Sequence, residues 1–312
     1  KMDDFDAFLD EVTNDDGQLE DMMRDKKDGI IFVIDCSRDM FMERTYSDSS
    51  TSQSLTPFQM STRAVLSVIK NKIVSSSDDL VGLIFFNCQE TKNATNFLNI
   101  NVPFERMSVS SAVLIKYLKA LDTSSGCSTA NINPSDHTCP LGNVFWTVAN
   151  LYGAVKQESL ASKRVFFFTS NDHPHHDNPG LKKAARMRAK DLSDFGIDLE
   201  WFNIQPAAKQ SRLFDLKPFW GDLLFVDDDL DTDNVDEESI NRFPDSTEKF
   251  EELLARVRRR ESKKRTLRRT TLTLVPDYQL SIRMYSVYQP SRRLPSTYID
   301  SLTGKPVRSR VE

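Results

Sequence analysis

Asp35, Ser37 and Asp39 stand at alternate positions and offer two carboxylates and a hydroxyl within five residues. Hard oxygen donors of this kind are what a magnesium ion takes. Asp172 could add a fourth group. A second constellation, His173, His175 and His176 with Asp172 and Asp177, joins imidazole to carboxylate, a donor set that suits Zn²⁺ or Ni²⁺. Cys127, His137 and Cys139 fit no compact zinc spacing and have no fourth ligand nearby in sequence. Nucleotide hydrolysis by the usual route needs a Gly-x-x-x-x-Gly-Lys-(Ser/Thr) loop to cradle phosphate. None occurs; Gly304-Lys305 lacks both the earlier glycine and the hydroxyl. No Ser-His-Asp or Cys-His order stands out among the four histidines. The acids therefore read as loop caps that bond backbone amides. The histidine run, with Pro174 inside it and Pro179 after it, reads as a polar loop. No catalytic residue, cofactor or metal is expected.

The strongest signal is basic. Residues 254–269 hold Arg256, Arg258, Arg259, Arg260, Lys263, Lys264, Arg265, Arg268 and Arg269 against one acid, Glu261. That stretch carries +8 in a chain of net charge −5, which leaves −13 elsewhere. An acidic body with one basic stripe points to a polyanion bound at a defined place. A solvated basic helix is the other reading. Phosphate would be met by the bidentate fork of arginine.

These groups must be held by a fold. Ile30-Ile31-Phe32-Val33-Ile34 is a short apolar run without alternation, the pattern of a strand buried on both faces. Residues 80–86 and 164–169 read as further buried strands, 197–203 and 223–226 as a fourth and a fifth, and 97–102 alternates as a short edge strand. Helical spacing appears between the strands. Thr56-Pro57-Phe58-Gln59 is a capping box ahead of Met60, Ala64 and Val68. Leu114, Leu118 and Leu121 mark a second helix, Leu141, Val144, Phe145, Val148 and Tyr152 a third, and 181–195, closed by Gly196, a fourth. Residues 42–55 and 122–140 read as loops. Alternating strand and helix predicts an α/β domain with a doubly wound, mainly parallel sheet, whose carboxyl edge carries Asp35. Polar groups just past that edge are where open α/β folds place their sites.

Three segments follow from this reading. Residues 1–28, with eleven acids and four bases, form an acidic arm. Residues 29–254 form the α/β domain. In 255–312 the last helix turns polar on every side beyond Val257, and 270–275 and 278–288 alternate about Pro276-Asp277 as a hairpin. A lone hairpin is marginal in water, so a truncated β domain is expected there. No apolar stretch approaches the roughly 18–20 residues that span a bilayer, and no membrane partner is expected. The amino terminus shows no apolar signal region. Cys36 and Cys88 lie in or beside strand patterns, so reduced thiols and a nuclear or cytosolic address are expected.

Two resemblances bear on function. Asp35-x-Ser37-x-Asp39 resembles the Asp-x-Ser-x-Ser metal loop of von Willebrand factor A domains, and departs from it at the third position. A wider set of motifs resembles the smaller subunit of the Ku heterodimer, the DNA-end-binding protein of non-homologous end joining. These are Asp28-Gly29-Ile30-Ile31-Phe32-Val33-Ile34-Asp35, Leu55-Thr56-Pro57-Phe58, Val144-Phe145-Trp146 with Ala149-Asn150-Leu151, and the run from Phe168 to His175. Arg256-Val257-Arg258, Glu261, Lys264-Arg265 and Leu267 complete the order. The likeness spans roughly 28–312 and is poor at 42–54 and 122–136.

The Ku resemblance implies a von Willebrand factor A-like domain followed by the start of a β-barrel. It implies a heterodimer with the larger Ku subunit and a ring that threads double-stranded DNA ends without reading sequence. Further implications are end-joining and telomere factors as partners, and a place in the nucleus, on chromosomes including telomeres. It implies that the nine basic residues of 254–269 contact DNA phosphate, and that Asp191 and Asp194 on an outward helix contact a protein. Members of the family carry the label ATP-dependent DNA helicase, which the missing phosphate loop does not support. The alternatives are a metal-dependent ligand-binding A domain and an enzyme using the acidic edge or the histidine loop.

Overall fold

The computed structural model describes residues 27–46, 53–75, 78–123, 127, 129–135, 137–155, 160–175, 178–204, 219–220, 254–255, 257, 266–275, 278–285 and 298–303. In chain order these form β1 (Lys27–Asp35), a 3-10 turn (Arg38–Phe41), β2 (Arg44–Tyr46), β3 (Gln53–Leu55), α1 (Pro57–Ser75), β4 (Leu80–Phe86), β5 (Ile100–Asn101) and β6 (Ser108–Val109). Then come α2 (Ala112–Leu121), α3 (Leu141–Gly153), β7 (Leu160–Thr169), α4 (Pro179–Asp194), β8 (Ile197–Asn203), β9 (Thr266–Val275) and β10 (Tyr278–Tyr285).

The order across the main sheet is β5-β4-β1-β7-β8, with β6 also on β4. β4, β1, β7 and β8 are parallel, and the short β5 and β6 run antiparallel along β4. β1 takes the centre because residues 30–34 are wholly buried on both sides. Ile30, Phe32 and Ile34 join Phe58, Val65, Ile69 and Leu118 under α1 and α2. Ile31 and Val33 join Val144, Phe145, Val148 and Leu192 under α3 and α4. Successive strand side chains point to opposite faces, so one apolar run feeds two cores. The expected doubly wound, von Willebrand factor A-like α/β fold is what forms.

Local signals act as their chemistry requires. Thr56 Oγ1 accepts from Gln59 N at 3.1 Å, and Gln59 Oε1 accepts from Thr56 N at 3.0 Å, a reciprocal cap on α1. Asn178 caps α4 by accepting from Leu181 N at 3.1 Å. Gly196 turns the chain out of α4 at φ +67°, a conformation that suits glycine. Gly29 serves close approach: a Cβ there would meet Tyr152 Cε1 at 2.9 Å. The Tyr152 hydroxyl accepts from Arg164 N at 2.9 Å and lies 2.7 and 3.0 Å from the Arg164 and Gly29 carbonyls. It thereby ties α3 to the amino end of the β1–β7 ladder.

Some boundaries differ from the expectation. Residues 42–55 contain the antiparallel pair β2–β3, three residues a side and too short to show as a pattern. The edge strand expected over 97–102 shrinks to Ile100–Asn101. Asn93 Oδ1 accepts from Phe97 N at 2.9 Å, and its amide donates to the Phe97 and Ile100 carbonyls, folding the first half into a loop. β9 begins at Thr266, so Arg268 and Arg269 lie within the hairpin and not ahead of it. The strand expected at 223–226, the acidic arm before Lys27 and most of the basic run lie outside the described residues.

Candidate functional site

The carboxyl edge of the sheet converges on one carboxylate. Asp35 ends β1 and is 1 % exposed. Its Oδ1 accepts from Ser37 N at 2.9 Å and from Asn87 Nδ2 at 2.8 Å, and its Oδ2 accepts from Thr169 Oγ1 at 2.8 Å. The donors come from the loop after β1, the residue after β4 and the last residue of β7. Burial pushes the Asp35 carboxyl above the usual carboxylate range, against the pull of Asn87 and Thr169. Most of its acceptor capacity is already used by protein.

Asn87 adopts φ +60°, where asparagine is tolerated, and that turn aims its amide back at Asp35. Its Oδ1 accepts from Cys139 N at 2.7 Å, which ties the approach to α3 into the same knot. Thr169 Oγ1 also accepts from Asn171 N at 3.1 Å. Ser37 Oγ and Ser170 Oγ are buried and have no hydrogen-bond partner among the described residues. Asp39 lies in the 3-10 turn, half-buried, and Asp172 is buried past β7.

The histidine run does not come together as a metal centre among the described residues. His175 sits at φ +63° and accepts from Leu141 N through Nε2 at 3.0 Å, capping α3, whose Pro140 offers no side-chain cap. It meets Phe219 edge-on. His173 N donates to Asn171 Oδ1 at 3.0 Å. His176 and Asp177 lie outside the described residues. Trp220 donates from Nε1 to the Asn171 carbonyl at 3.0 Å and packs on Trp201. Asp35, Asn87, Cys139, Thr169, His175 and Trp220 line one narrow recess. Sequence reasoning missed Asn87 and Trp220. An asparagine directly after an apolar strand was the available sign for the first; no local sign marked the second.

The four thiols are buried, and burial pushes Cys88 and Cys139 up to about 12. Such thiols are not nucleophiles at neutral pH.

The basic run is reached at its root. Val257 is fully buried and Leu254 partly so, both against the α1/α2 core. Arg256, Arg258, Arg259, Arg260, Lys263, Lys264 and Arg265 lie outside the described residues, and Arg268 and Arg269 face Met284 and Arg283 across the hairpin register. On α4, Arg188 bonds Asp191 at 3.0 Å and lies 4.3 Å over the Trp146 ring, while Asp194 is exposed.

A mainly parallel sheet in this order, layered by helices and closed at its carboxyl edge around an Asp-x-Ser-x-Asp loop, defines a von Willebrand factor A-like domain. The family follows from comparison: residues 29–267 match the model of the Ku70/Ku80 N-terminal alpha/beta domain, and the chain belongs to that family. It is 31% identical over 286 residues to X-ray repair cross-complementing protein 6 of Mus musculus, covering 91% of this chain and 44% of that protein. It is 26% identical over 309 residues to the ATP-dependent DNA helicase ku70 of Dictyostelium discoideum, covering 92% and 32%. Against the ATP-dependent DNA helicase 2 subunit KU70 of Oryza sativa subsp. japonica it is 24% identical over 319 residues, covering 97% and 48%. The chain thus spans less than half the length of each of these relatives.

The His175 cap predicts a pH effect. Burial disfavours the charged ring and lowers its pKa below the ordinary 6.5, and the neutral ring is the form that accepts from Leu141 N–H. A group with a lowered folded pKa contributes stability above the unfolded value and loses it as pH falls through that value toward the folded one. The melting temperature should therefore drop between pH 7.5 and 5, by an amount smaller in His175→Gln, where the amide oxygen still accepts but does not titrate. Equal acid-side slopes in both proteins would remove His175 as the cause.

Proposed function

We propose that the chain is part of a non-enzymatic DNA-end-binding subunit, acting in double-strand break repair by non-homologous end joining and in telomere maintenance. On this reading it works in the nucleus, on chromosomes including telomeres, paired with the larger Ku subunit. The observation that carries the proposal is membership of the Ku70/Ku80 family together with a nine-cation run rooted by Val257 in the domain core. A fixed root supports the reading that the cations project from the body toward a partner. The name of the Mus musculus relative refers to repair. Other relatives are named helicases, yet this chain has no phosphate-cradling glycine loop.

In this proposal Arg256, Arg258, Arg259, Arg260, Lys263, Lys264, Arg265, Arg268 and Arg269 meet phosphates, which orient the protein without reading bases. Arg256, Arg260 and Lys263 share one helix face if the helix continues past Val257. Asp191 and Asp194 serve a different task, contact with an end-joining factor. The buried, unpartnered hydroxyls of Ser37 and Ser170 favour a second reading, a metal-dependent ligand-binding A domain, which the crowded acceptors of Asp35 oppose.

Replacing Arg256, Arg260, Lys263 and Arg265 together with Ala in the full-length heterodimer should weaken duplex binding equally for all sequences. The log–log salt slope should fall in magnitude by about 3.6, at roughly 0.9 per phosphate contact. An unchanged slope would mean that these side chains do not touch DNA. Asp191→Arg with Asp194→Arg should impair end joining in cells while leaving DNA affinity intact. A parallel loss of affinity would put α4 on the DNA side.

A further inference from the structure

A groove of about 410 Å³ lies on the β4 side of the domain and shares no lining residue with the Asp35 recess. One wall is a single face of α3, Thr147, Asn150, Leu151 and Ala154, at helical spacing. The other is the chain that returns along β4, from Val102 to Arg106, with the loop at Lys92. Its floor is apolar: Val102 is 4 % and Leu151 6 % exposed. Its rim carries two exposed cations, Lys92 and Arg106, and one acid, Glu105. An apolar floor under a cationic rim takes a segment in which acids alternate with apolar side chains.

Such a segment exists in the same chain. Residues 1–26 carry ten acids and three bases. The part next to β1 reads Leu19-Glu20-Asp21-Met22-Met23-Arg24-Asp25. The root of this arm is beside the groove. Gly29, two residues into β1 from Lys27, lies close to both walls: the Tyr152 hydroxyl is 3.0 Å from its carbonyl, and a Cβ at Gly29 would come within 3.5 Å of Met107 Cε. Met107 follows Arg106 directly, and Tyr152 lies between Leu151 and Ala154. Four residues of extended chain, from Met23 to Lys27, reach about 13 Å. We propose that the groove is the docking site of the acidic arm. Met22, Met23 or Leu19 fills the apolar floor, and Glu20, Asp21 and Asp25 pair with Lys92 and Arg106.

The test is thermolysin cleavage of the full chain, read at the bonds around Leu19, Met22 and Met23. At low salt these bonds should be cut slowly. Lys92→Glu with Arg106→Glu should speed cutting about fivefold, the factor expected from losing two exposed ion pairs. High salt should do the same to the parent chain, because exposed charges are screened. Adding Glu20→Arg and Asp21→Arg to the groove variant should restore slow cutting. Both groove positions are exposed, so an unchanged melting temperature shows that the variant is folded. Cleavage rates that are equal in all three proteins would overturn the proposal. Protection that grows with protein concentration would overturn it too, since the occupant would then be the arm of a second copy.

Discussion

The carboxylate of Asp35 is the point on which this domain closes. Three donors from three separate segments reach it, and each segment belongs to a different strand of the parallel core. Asn87 passes the connection on to Cys139 and so to the start of α3. A buried carboxylate without such partners would cost several kcal/mol, so the loops at this edge are fixed by the need to satisfy it. The same need occupies most of the acceptor sites of this carboxylate.

The amino edge is organised by another buried charge. Lys72 at the end of α1 meets Asp79 at 2.5 Å, both side chains 5% exposed, and Asp79 also accepts from the backbone of Asp28. Removing one partner of such a pair leaves an uncompensated buried charge. Between the two edges the strands are joined by their backbone ladders and covered by apolar side chains, with Phe32, Phe166, Phe167 and Phe168 wholly buried. Polar constraints at both rims set the register, and the hydrophobic layers supply the cohesion.

Much of this was legible in the residues. Apolar runs identified β1, β4 and β7, the alternation of Ile197, Leu199 and Trp201 identified β8, and helical spacing identified the helices that cover them, because each pattern follows from a fixed periodicity. The capping box at Thr56 and Gly196 after α4 behaved as their backbone chemistry dictates. Long-range polar pairings were not legible. Asn87 lies 52 positions from Asp35 and Thr169 lies 134 away, and no local pattern couples them. His175 illustrates the same limit: its neighbours suggested a metal ligand or a plain loop, whereas its ring caps a helix that begins 34 residues earlier. The basic run shows the converse, since its charge is plain in the sequence while the described fold places only its root at Val257 and its end, Arg268 and Arg269 on β9.

We propose that hydrogen bonds, and not an ion, close the carboxyl edge of this Ku-family domain. Calorimetric titration of the chain with Mg²⁺ and Mn²⁺ tests it most directly. The account predicts no binding tighter than about millimolar, the weak end for oxygen-ligand sites. Micromolar binding that disappears in Asp35→Ala would contradict it.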